Sequence, residues 1–306
     1  MKEKFKNSKI AGIITLLIVY LIAFVGAYFS FEYIPIKNLI LRFLVADVIA
    51  TVIIYFFSLI FNNSSVYDPY WSVAPMVMVP YFIHHTCGYN LYSIVVLLLI
   101  CIWGIRLTLN CLKRFKNISS SDWRYTKIQN KHPKLWFFIT LTGIHLMPTL
   151  IVFLAMLPVF SYLNGINIAT GINLGGFVLS ILICLFAIII ETIADLQMDK
   201  FKKDKNNAGK IIRVGLWKNS RHPNYFGEIL FWVSLFLFSL TPIYPANING
   251  GIWVLVFCPL VMFLLFAFIS IPMMEKRQKQ SKPGYEQYKK ETNLLLPFWP
   301  PYIDKK

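Results

Sequence analysis

The sequence predicts an all-α, polytopic integral membrane protein. Of its 306 residues, 57% are hydrophobic and only 14% are charged, whereas a soluble domain usually carries about 25% charged residues. Several uncharged apolar runs are about 20 residues long, which is the length that an α-helix needs to cross a hydrocarbon core of ~30 Å. These observations together exclude a soluble globular protein.

Eight apolar segments follow one another along the chain, so we expect seven to eight transmembrane helices in one integral domain over residues 1–306. The segments lie at about 10–29, 39–61, 71–86, 91–112, 136–162, 172–193, 226–240 and 251–274. The third contains Pro75 and Pro80 and, like the seventh, is short for a crossing. The first is too long for the core of a signal peptide, so we expect it to remain as a membrane helix.

The distribution of Lys and Arg predicts the orientation of these helices. Four basic residues precede or begin the first segment, seven lie at 113–135, eight at 194–225 and eight after residue 274, whereas the alternate connections carry only Lys37. Cytoplasmic loops are enriched in Lys and Arg, so both termini are predicted to be cytoplasmic and segment 71–86 to cross or re-enter deeply. The net charge of +16 therefore indicates basic loops rather than a nucleic-acid partner.

Charged residues within the segments need a reason, because each costs at least ~2.5 kcal/mol on insertion scales. Arg42 can extend its guanidinium to the interface. Asp47 lies deeper and can pair with Arg42 or Arg106. Further along the chain, Glu191 begins a stripe of carboxylates that continues at steps of four residues.

This stripe, which includes Asp195 and Asp199, lies on one face of a predicted helix. It is compatible with a divalent metal and a phosphorylated substrate, with hydrogen bonds to the hydroxyl or amide groups of a nucleotide cofactor, or with ion pairs to the lysines that follow. The five histidines form no His-x-x-His or His-x-x-x-His repeats, and the five cysteines form no Cys-x-x-Cys pair. We therefore predict no metal centre.

Residues 215–228, with the sequence GLWKNSRHPNYFGE, are the most informative stretch. A proline suits the first turn of a helix, so the seventh segment is predicted to begin at Pro223. Asn224, Glu228 and Trp232 then share one face, and the preceding Arg-His pair lies at the positive end of the helix dipole, where it suits a phosphate. The alternative is a basic loop that touches anionic lipid headgroups.

The chain carries no Gly-x-Gly and no Walker A sequence, which excludes Rossmann and P-loop nucleotide sites. Residues 172–301, which include this stretch, the carboxylate stripe and a tail with Glu275-x-Arg277 and Tyr285-x-x-Tyr288, resemble the C-terminal domain of the steroid 5-alpha-reductase family, in particular its bacterial membrane-protein branch. The first half is similar through DPYW at 68–71, WGIR at 103–106 and DWRY at 122–125.

The resemblance implies a reductase that uses NADPH on a carbon–carbon double bond of a sterol-, isoprenoid- or fatty-lipid-like substrate. It implies a substrate side within 1–135 and, from the bacterial branch, the cytoplasmic membrane of a bacterium. The residues that it places on the proton-donating side are Asp68, Tyr70, Trp71 and Trp103. Those that it places around the cofactor are Arg106, Arg114, Tyr125, Glu191, Asp195, Lys202, Arg221, His222, Asn224, Tyr225, Glu228, Trp232, Glu275, Arg277, Tyr285 and Tyr288.

Two alternatives remain open from the sequence. The core Arg-His-Pro-x-Tyr-x-Gly is similar to that of isoprenylcysteine carboxyl methyltransferases, which use S-adenosylmethionine. Asn224 and Glu228 favour the reductase, because the methyltransferases usually carry neither. The other alternative is a non-catalytic protein that binds lipid.

Overall fold

The computed structural model describes residues 8–244 and 255–298, and these residues are overwhelmingly helical. This confirms the predicted all-α class. The α-helices are α1 Lys9–Tyr33, α2 Leu39–Ile60, α3 Tyr70–His85, α4 Leu91–Arg114, α5 Trp123–Lys131, α6 Trp136–Ile139, α7 Met147–Ile168, α8 Leu174–Lys203, α9 Pro223–Ser239, α10 Phe257–Leu265, α11 Ile271–Ser281 and α12 Tyr285–Glu291. π-Helical turns at Thr140–Leu146 and Phe266–Ser270 join α6 to α7 and α10 to α11.

Among the described residues, six helical stretches are long and apolar enough to cross a membrane. They are α1, α2, α4, α8 and the composite stretches Pro133–Ile168 and Phe257–Ser281. This confirms an integral multi-pass membrane protein. The other two predicted segments form α3 and α9, which have 16 and 17 residues, and the predicted segment 251–274 begins outside the described residues.

The long helices begin at polar capping residues. The side chains of Ser8, Asn38, Asn90 and Asn173 each accept a hydrogen bond from the backbone N–H three residues further on. Such caps satisfy N–H groups that have no partner within the helix. The remaining exposed faces are apolar, as at Leu21 of α1, which is 66% exposed, and suit the tails of membrane lipids.

The chain forms two compact units, residues 1–154 and 155–306. In the first unit, α1 packs along α2, and α3 packs along α4. In the second unit, the main contact is between α8 and α9. A short antiparallel pair of strands, β1 Gly171–Ile172 and β2 Pro242–Ile243, also belongs to the second unit.

Candidate active site

The first unit contains an apolar cavity of about 370 Å³. Its walls come from α1, α2 and α3 and from Tyr89 just beyond α3. The lining residues are Phe24, Ala27, Tyr28, Phe31, Phe43, Ala46, Asp47, Ala50, Tyr70, Ala74, Val77, Met78, Pro80, Tyr81, His84 and Tyr89. A cavity of this size falls within the usual range of about 300–1,000 Å³ for small-molecule sites.

A carboxylate and a phenol meet at the wall of this cavity. The Tyr70 hydroxyl donates a hydrogen bond to Asp47 Oδ1 at 2.6 Å, and both residues are buried. Tyr70 is the first residue of α3, and Asp47 lies in the middle of α2. The sequence had offered Arg42 as a partner of Asp47, but that guanidinium donates to the Phe31 carbonyl. The structure thus gives the predicted Tyr70 an acidic neighbour that the sequence did not assign to it.

Asp68 belongs to a different cluster, at the loop between α2 and α3. It accepts a hydrogen bond from the Tyr125 hydroxyl at 2.5 Å and lies 3.9 Å from Arg124 Nη2. The Arg124 Nε atom is 2.8 Å from Asp122. Burial raises the pKa of Asp68 to about 6, although Arg124 and the Tyr125 hydroxyl act in the opposite direction. Both Asp68 and Tyr125 were predicted as site residues, and the structure brings them together.

The other predicted residues of the first unit lie along α3 and α4. Trp71 and Trp103 pack edge to face with their ring centroids 6.0 Å apart, and Trp103 is fully buried. Arg106 is half-buried on α4, and Arg114 is exposed at its end. These positions do not test the catalytic and cofactor-binding roles predicted for the four residues, which therefore remain predictions.

Helix α2 carries a line of buried polar residues. The sequence pointed only to the first of them, Asp47, and the others were missed. Asp47, Thr51, Tyr55 and Ser58 are all at most 5% exposed. Their spacing of four, four and three residues puts them on one face of the helix. This periodicity was the available signal, because one charged residue in a span is ambiguous whereas a full polar stripe is not.

In the second unit, α8 carries the predicted carboxylate stripe. The helix continues to Lys203, so it includes all three acids; Glu191 and Asp195 are buried and Asp199 is half-buried. The neighbouring α9 approaches closely at Gly227, where a Cβ atom would lie 2.7 Å from Glu191 Cβ and 2.8 Å from the Ala187 carbonyl oxygen. Glycine is therefore required at this crossing.

The predicted stripe on α9 is present, and α9 begins at Pro223 as predicted. The Trp232 indole N–H donates to Glu228 Oε1 at 2.8 Å, and both side chains are buried. Asn224 is half-buried one turn earlier. The Tyr225 ring stacks on His222 with their centroids 5.2 Å apart.

Glu275 is the centre of an ion-pair cluster at the start of α9. Its carboxylate lies 2.7 Å from Arg221 Nε, 2.9 Å from Lys289 Nζ and 3.4 Å from His222 Nε2. Burial lowers the pKa of His222, which favours the neutral ring, and the nearby Glu275 opposes that shift. The cluster gathers four charged or titratable side chains from three separate stretches of the sequence.

The C-terminal tail is tied to the same place. Arg221 Nη1 donates to the carbonyls of Lys289 and Thr292, and the Tyr288 hydroxyl donates to the Trp217 carbonyl at 2.8 Å. Burial raises the pKa of Tyr288 to about 12. Arg221 thus holds the tail, while its predicted contact with a phosphate stays a prediction. Of the remaining predicted residues, Tyr285 is buried, whereas Lys202 and Arg277 are exposed.

A basin of about 890 Å³ opens beside this cluster. Its lining combines four basic side chains, two carboxylates, a glutamine and a few apolar residues. The residues are Arg221, Ile271, Pro272, Glu275, Lys276, Lys279, Gln280, Glu286, Lys289 and Leu294. The excess of positive charge suits an anionic group. Within the described ranges, no group of three or more His, Cys, Asp or Glu side chains is arranged to hold a metal ion.

Comparison with known proteins gives the family. Residues 54–292 match the family described as a protein of unknown function, DUF1295. The chain belongs to this family. It is also 27% identical over 202 residues to an uncharacterised protein of Schizosaccharomyces pombe, an alignment that covers 58% of each chain. The chain therefore spans 58% of the length of that curated relative. No solved structure matches it significantly.

Proposed function

We propose that this protein is a membrane-embedded reductase that uses NADPH to reduce a carbon–carbon double bond conjugated to a carbonyl group in a hydrophobic substrate. The observation that carries the proposal is the Tyr70–Asp47 pair at the wall of an otherwise largely apolar cavity. The resemblance to the steroid 5-alpha-reductase family supports it, since DUF1295 includes proteins of that kind. The same resemblance favours the bacterial cytoplasmic membrane.

The proposed chemistry assigns the proton to Tyr70. Addition of a hydride to an enone places negative charge on the carbonyl oxygen, and a positioned donor stabilises that charge. The Tyr70 hydroxyl carries one hydrogen, which it donates to Asp47 Oδ1 at 2.6 Å when no substrate is bound. In the proposed step this hydrogen turns to the substrate carbonyl oxygen, and a protonated Asp47 donates to the Tyr70 oxygen in its place. The apolar walls keep water away, which strengthens the interaction. NADPH, when bound, supplies the hydride.

The second unit offers side chains that fit the cofactor. The basic basin beside Arg221 suits phosphate groups, which are bound by Lys and Arg and by helix N-termini. Asn224 and Glu228 provide an amide and a buried carboxylate one turn apart for the ribose hydroxyls or the carboxamide. Glu191 and Asp195 add two further buried acids on α8.

A thermal-shift titration of the detergent-purified protein with NADPH, NADH and S-adenosylmethionine tests the proposal. A ligand that binds only the folded state stabilises it by RT ln(1 + [L]/Kd). We expect NADPH to raise Tm. A rise with S-adenosylmethionine alone would assign methyl transfer instead, and a lack of response to all three would favour a lipid-binding protein.

Matched variants locate the response within the second unit. Glu228→Gln and Asn224→Ala should abolish the NADPH shift, because each removes a predicted polar contact with the cofactor, one from a buried carboxylate and one from a half-buried amide. Glu291→Gln and Asn206→Ala make the same chemical changes away from the α9 stripe, so they should respond like the wild type. Retention of the full shift in both site variants would contradict the cofactor assignment.

A further inference from the structure

The tail strip, which we define as residues 294–298, is a non-helical segment that follows α12 in the second unit. The residue before it is fixed to the loop that precedes α9. The Arg221 N–H donates to the Asn293 carbonyl at 2.9 Å, and the Asn293 N–H donates to the Asn219 carbonyl at 3.1 Å. The strip therefore begins at a backbone position that the protein holds in place.

The side chains of the strip alternate in exposure. Leu294, Leu296 and Phe298 are 38%, 55% and 54% exposed. Leu295 between them is half-buried, and Pro297 is buried. Large apolar side chains that are exposed close together mark a surface that contacts a protein or a membrane.

Every backbone carbonyl of residues 293–297 accepts a hydrogen bond from a polar group of the protein. The contacts are Arg221 N–H to Asn293 at 2.9 Å, Ser220 Oγ to Leu294 at 3.5 Å and to Leu295 at 2.8 Å, the Asn293 amide to Leu296 at 3.4 Å, and the Asn219 amide to Pro297 at 3.2 Å. Ser220 is fully buried and shares its one hydroxyl hydrogen between two of these carbonyls.

This pairing of the carbonyls is typical of a lipid setting rather than of water. A loop in water can leave its carbonyls to the solvent, whereas non-helical backbone at membrane depth must find its partners within the protein. The phosphate and ester oxygens of phospholipids accept hydrogen bonds but cannot donate them, so they can serve backbone N–H groups and not carbonyls. In the described part of the chain, the N–H groups of Leu294, Leu295 and Leu296 donate to no protein atom, which leaves them for such oxygens.

Phe298, at the end of the strip, lies at membrane depth. Its ring centroid is 5.6 Å from that of Phe186 and 6.2 Å from that of Phe226. Phe186 is 43% exposed on the spanning helix α8, about seven residues or roughly 10 Å from the cytoplasmic end of the predicted segment 172–193. Phe226 begins the predicted segment 226–240. The strip therefore continues the lipid-facing surface of α8.

The other end of the strip adjoins positive charge. Leu294 lines the basin together with Lys276 and Lys279, which are both exposed. Lysines beside the cytoplasmic face of a membrane attract anionic lipid headgroups. The surroundings of the strip thus change from basic at Leu294 to aromatic at Phe298, in the same order as a leaflet changes from headgroups to acyl chains.

We propose that the tail strip is an interfacial anchor that inserts into the cytoplasmic leaflet of a membrane containing anionic phospholipid. Leu296 and Phe298 lie among the upper parts of the acyl chains. Leu294 lies at the level of the headgroups, whose phosphates contact Lys276 and Lys279. The inference concerns lipid contact alone and does not depend on the proposed reductase activity.

The depth of the strip can be measured with nitroxide spin labels on the full-length protein, in vesicles of phosphatidylethanolamine and phosphatidylglycerol. The labels are attached at Phe298→Cys and Leu296→Cys in a background whose five native cysteines are replaced by alanine. Oxygen is enriched in a bilayer and a nickel chelate stays in water, so the ratio of their collision rates with the label reports depth. We expect a high ratio of oxygen to nickel collisions at both positions, as in Phe268→Cys, whose side chain is 73% exposed within a spanning stretch. Lys290→Cys, on the exposed face of α12, should give a low ratio.

Two results would overturn the proposal. A ratio at both strip positions like that of Lys290→Cys would place the strip in water. Low collision rates with both reagents would show that protein, either a second copy of this chain or another partner, covers the strip.

Photo-crosslinking gives an independent test in the chain with its native cysteines. With p-benzoylphenylalanine in place of Phe298, illumination should attach a phospholipid that carries an alkyne tag on its acyl chain. The same group in place of Lys290 should attach none. Lack of a lipid adduct at position 298 would overturn the proposal even if the cysteine-free background failed to fold.

Ser220→Ala tests the link between carbonyl pairing and insertion. It removes the donor of two strip carbonyls, so the ratio at a label on position 298 should fall toward the value of Lys290→Cys. Ser281→Ala removes an exposed hydroxyl that bonds only to the Arg277 carbonyl of its own helix, and it should leave the ratio unchanged. Tm of each variant shows whether it is folded, and an unchanged ratio in folded Ser220→Ala would contradict the role of this pairing in insertion.

Discussion

Replacement of Gly227 by alanine tests the helix crossing that positions the candidate cofactor residues. The added Cβ would lie 2.7 Å from Glu191 Cβ, 2.8 Å from the Ala187 carbonyl oxygen and 2.9 Å from the Glu191 amide nitrogen. Carbon atoms in good contact are about 3.5–4.0 Å apart. The helices α8 and α9 would therefore have to separate by about 1 Å, because two of the three contacted atoms are backbone atoms that cannot rotate away.

The expected cost follows from these distances. Overpacking costs about 1–3 kcal/mol, and the backbone contacts place Gly227→Ala near the upper end. Alanine recovers about 1 kcal/mol through its higher helix propensity, which leaves a net loss of about 2 kcal/mol. For a unit of about 150 residues this corresponds to a fall in Tm of about 4–8 °C. The NADPH shift should weaken as well, because Glu191 and Glu228 move apart.

The assay is thermal unfolding of the purified protein, followed by tryptophan fluorescence with and without NADPH. Gly175→Ala is the matched control, because its Cβ would meet only Asn173 Oδ1 at an ordinary 3.7 Å. We expect its Tm to stay the same or rise slightly. An equal or higher Tm in Gly227→Ala would refute the reasoning about the crossing.

Three further predictions concern single side chains. Tyr70→Phe should lower the NADPH-dependent reduction of octalone, a bicyclic enone, about 10²–10⁴-fold, the usual contribution of a general acid, and leave the NADPH thermal shift intact; full activity would remove Tyr70 from the mechanism. Glu275→Gln should lower Tm and speed proteolysis of the C-terminal tail, because loss of one partner leaves the Arg221 guanidinium, whose side chain is only 12% exposed, without a counter-charge, at a cost of about 3 kcal/mol; an unchanged Tm and cleavage rate would show that this cluster does not hold the tail. Asp68→Asn should change the pH dependence of Tm. The pKa of Asp68 is about 6 in the folded protein against an ordinary 3.8, so its stabilising contribution is complete below pH 3.8 and is lost as pH rises through 6. The wild type should therefore lose stability relative to Asp68→Asn over that interval, and a constant difference in Tm would contradict this.

The local features of the fold could be predicted from the sequence because they depend on composition and spacing. The long apolar helices, the start of α9 at Pro223 and the shared faces of the two polar stripes in the second unit follow from residues within a few turns of one another. Segments 71–86 and 226–240 were also recognised as short for a crossing. The first of them forms α3, which is one helix although it contains Pro75 and Pro80. Periodicity and helix length carry this information directly.

The pairing of side chains could not be predicted, because it depends on which helices become neighbours. Tyr70 lies 23 residues from Asp47 in sequence, and Thr51 lies 98 residues from Thr149, whose hydroxyl it contacts at 2.8 Å. Glu275 reaches Arg221 from a separate helix. Spacing assigns such residues to a face of their own helix but not to a partner. For this reason the proton-donating side predicted for Tyr70 included Asp68 and not Asp47.

The distribution of charge around the basin indicates how an anionic ligand would compete with the carboxylates of the protein for the basic side chains. Four cationic and two acidic side chains line it, so a charge of +2 remains after internal pairing. Glu275 already occupies Arg221 and Lys289. A phosphate group would therefore add to the cluster through the surplus cations, or displace Glu275 at the cost of leaving a carboxylate without its partners in a buried site. The first route leaves the tail in place, and it is favoured because the Arg221 guanidinium also holds two tail carbonyls that a phosphate cannot replace.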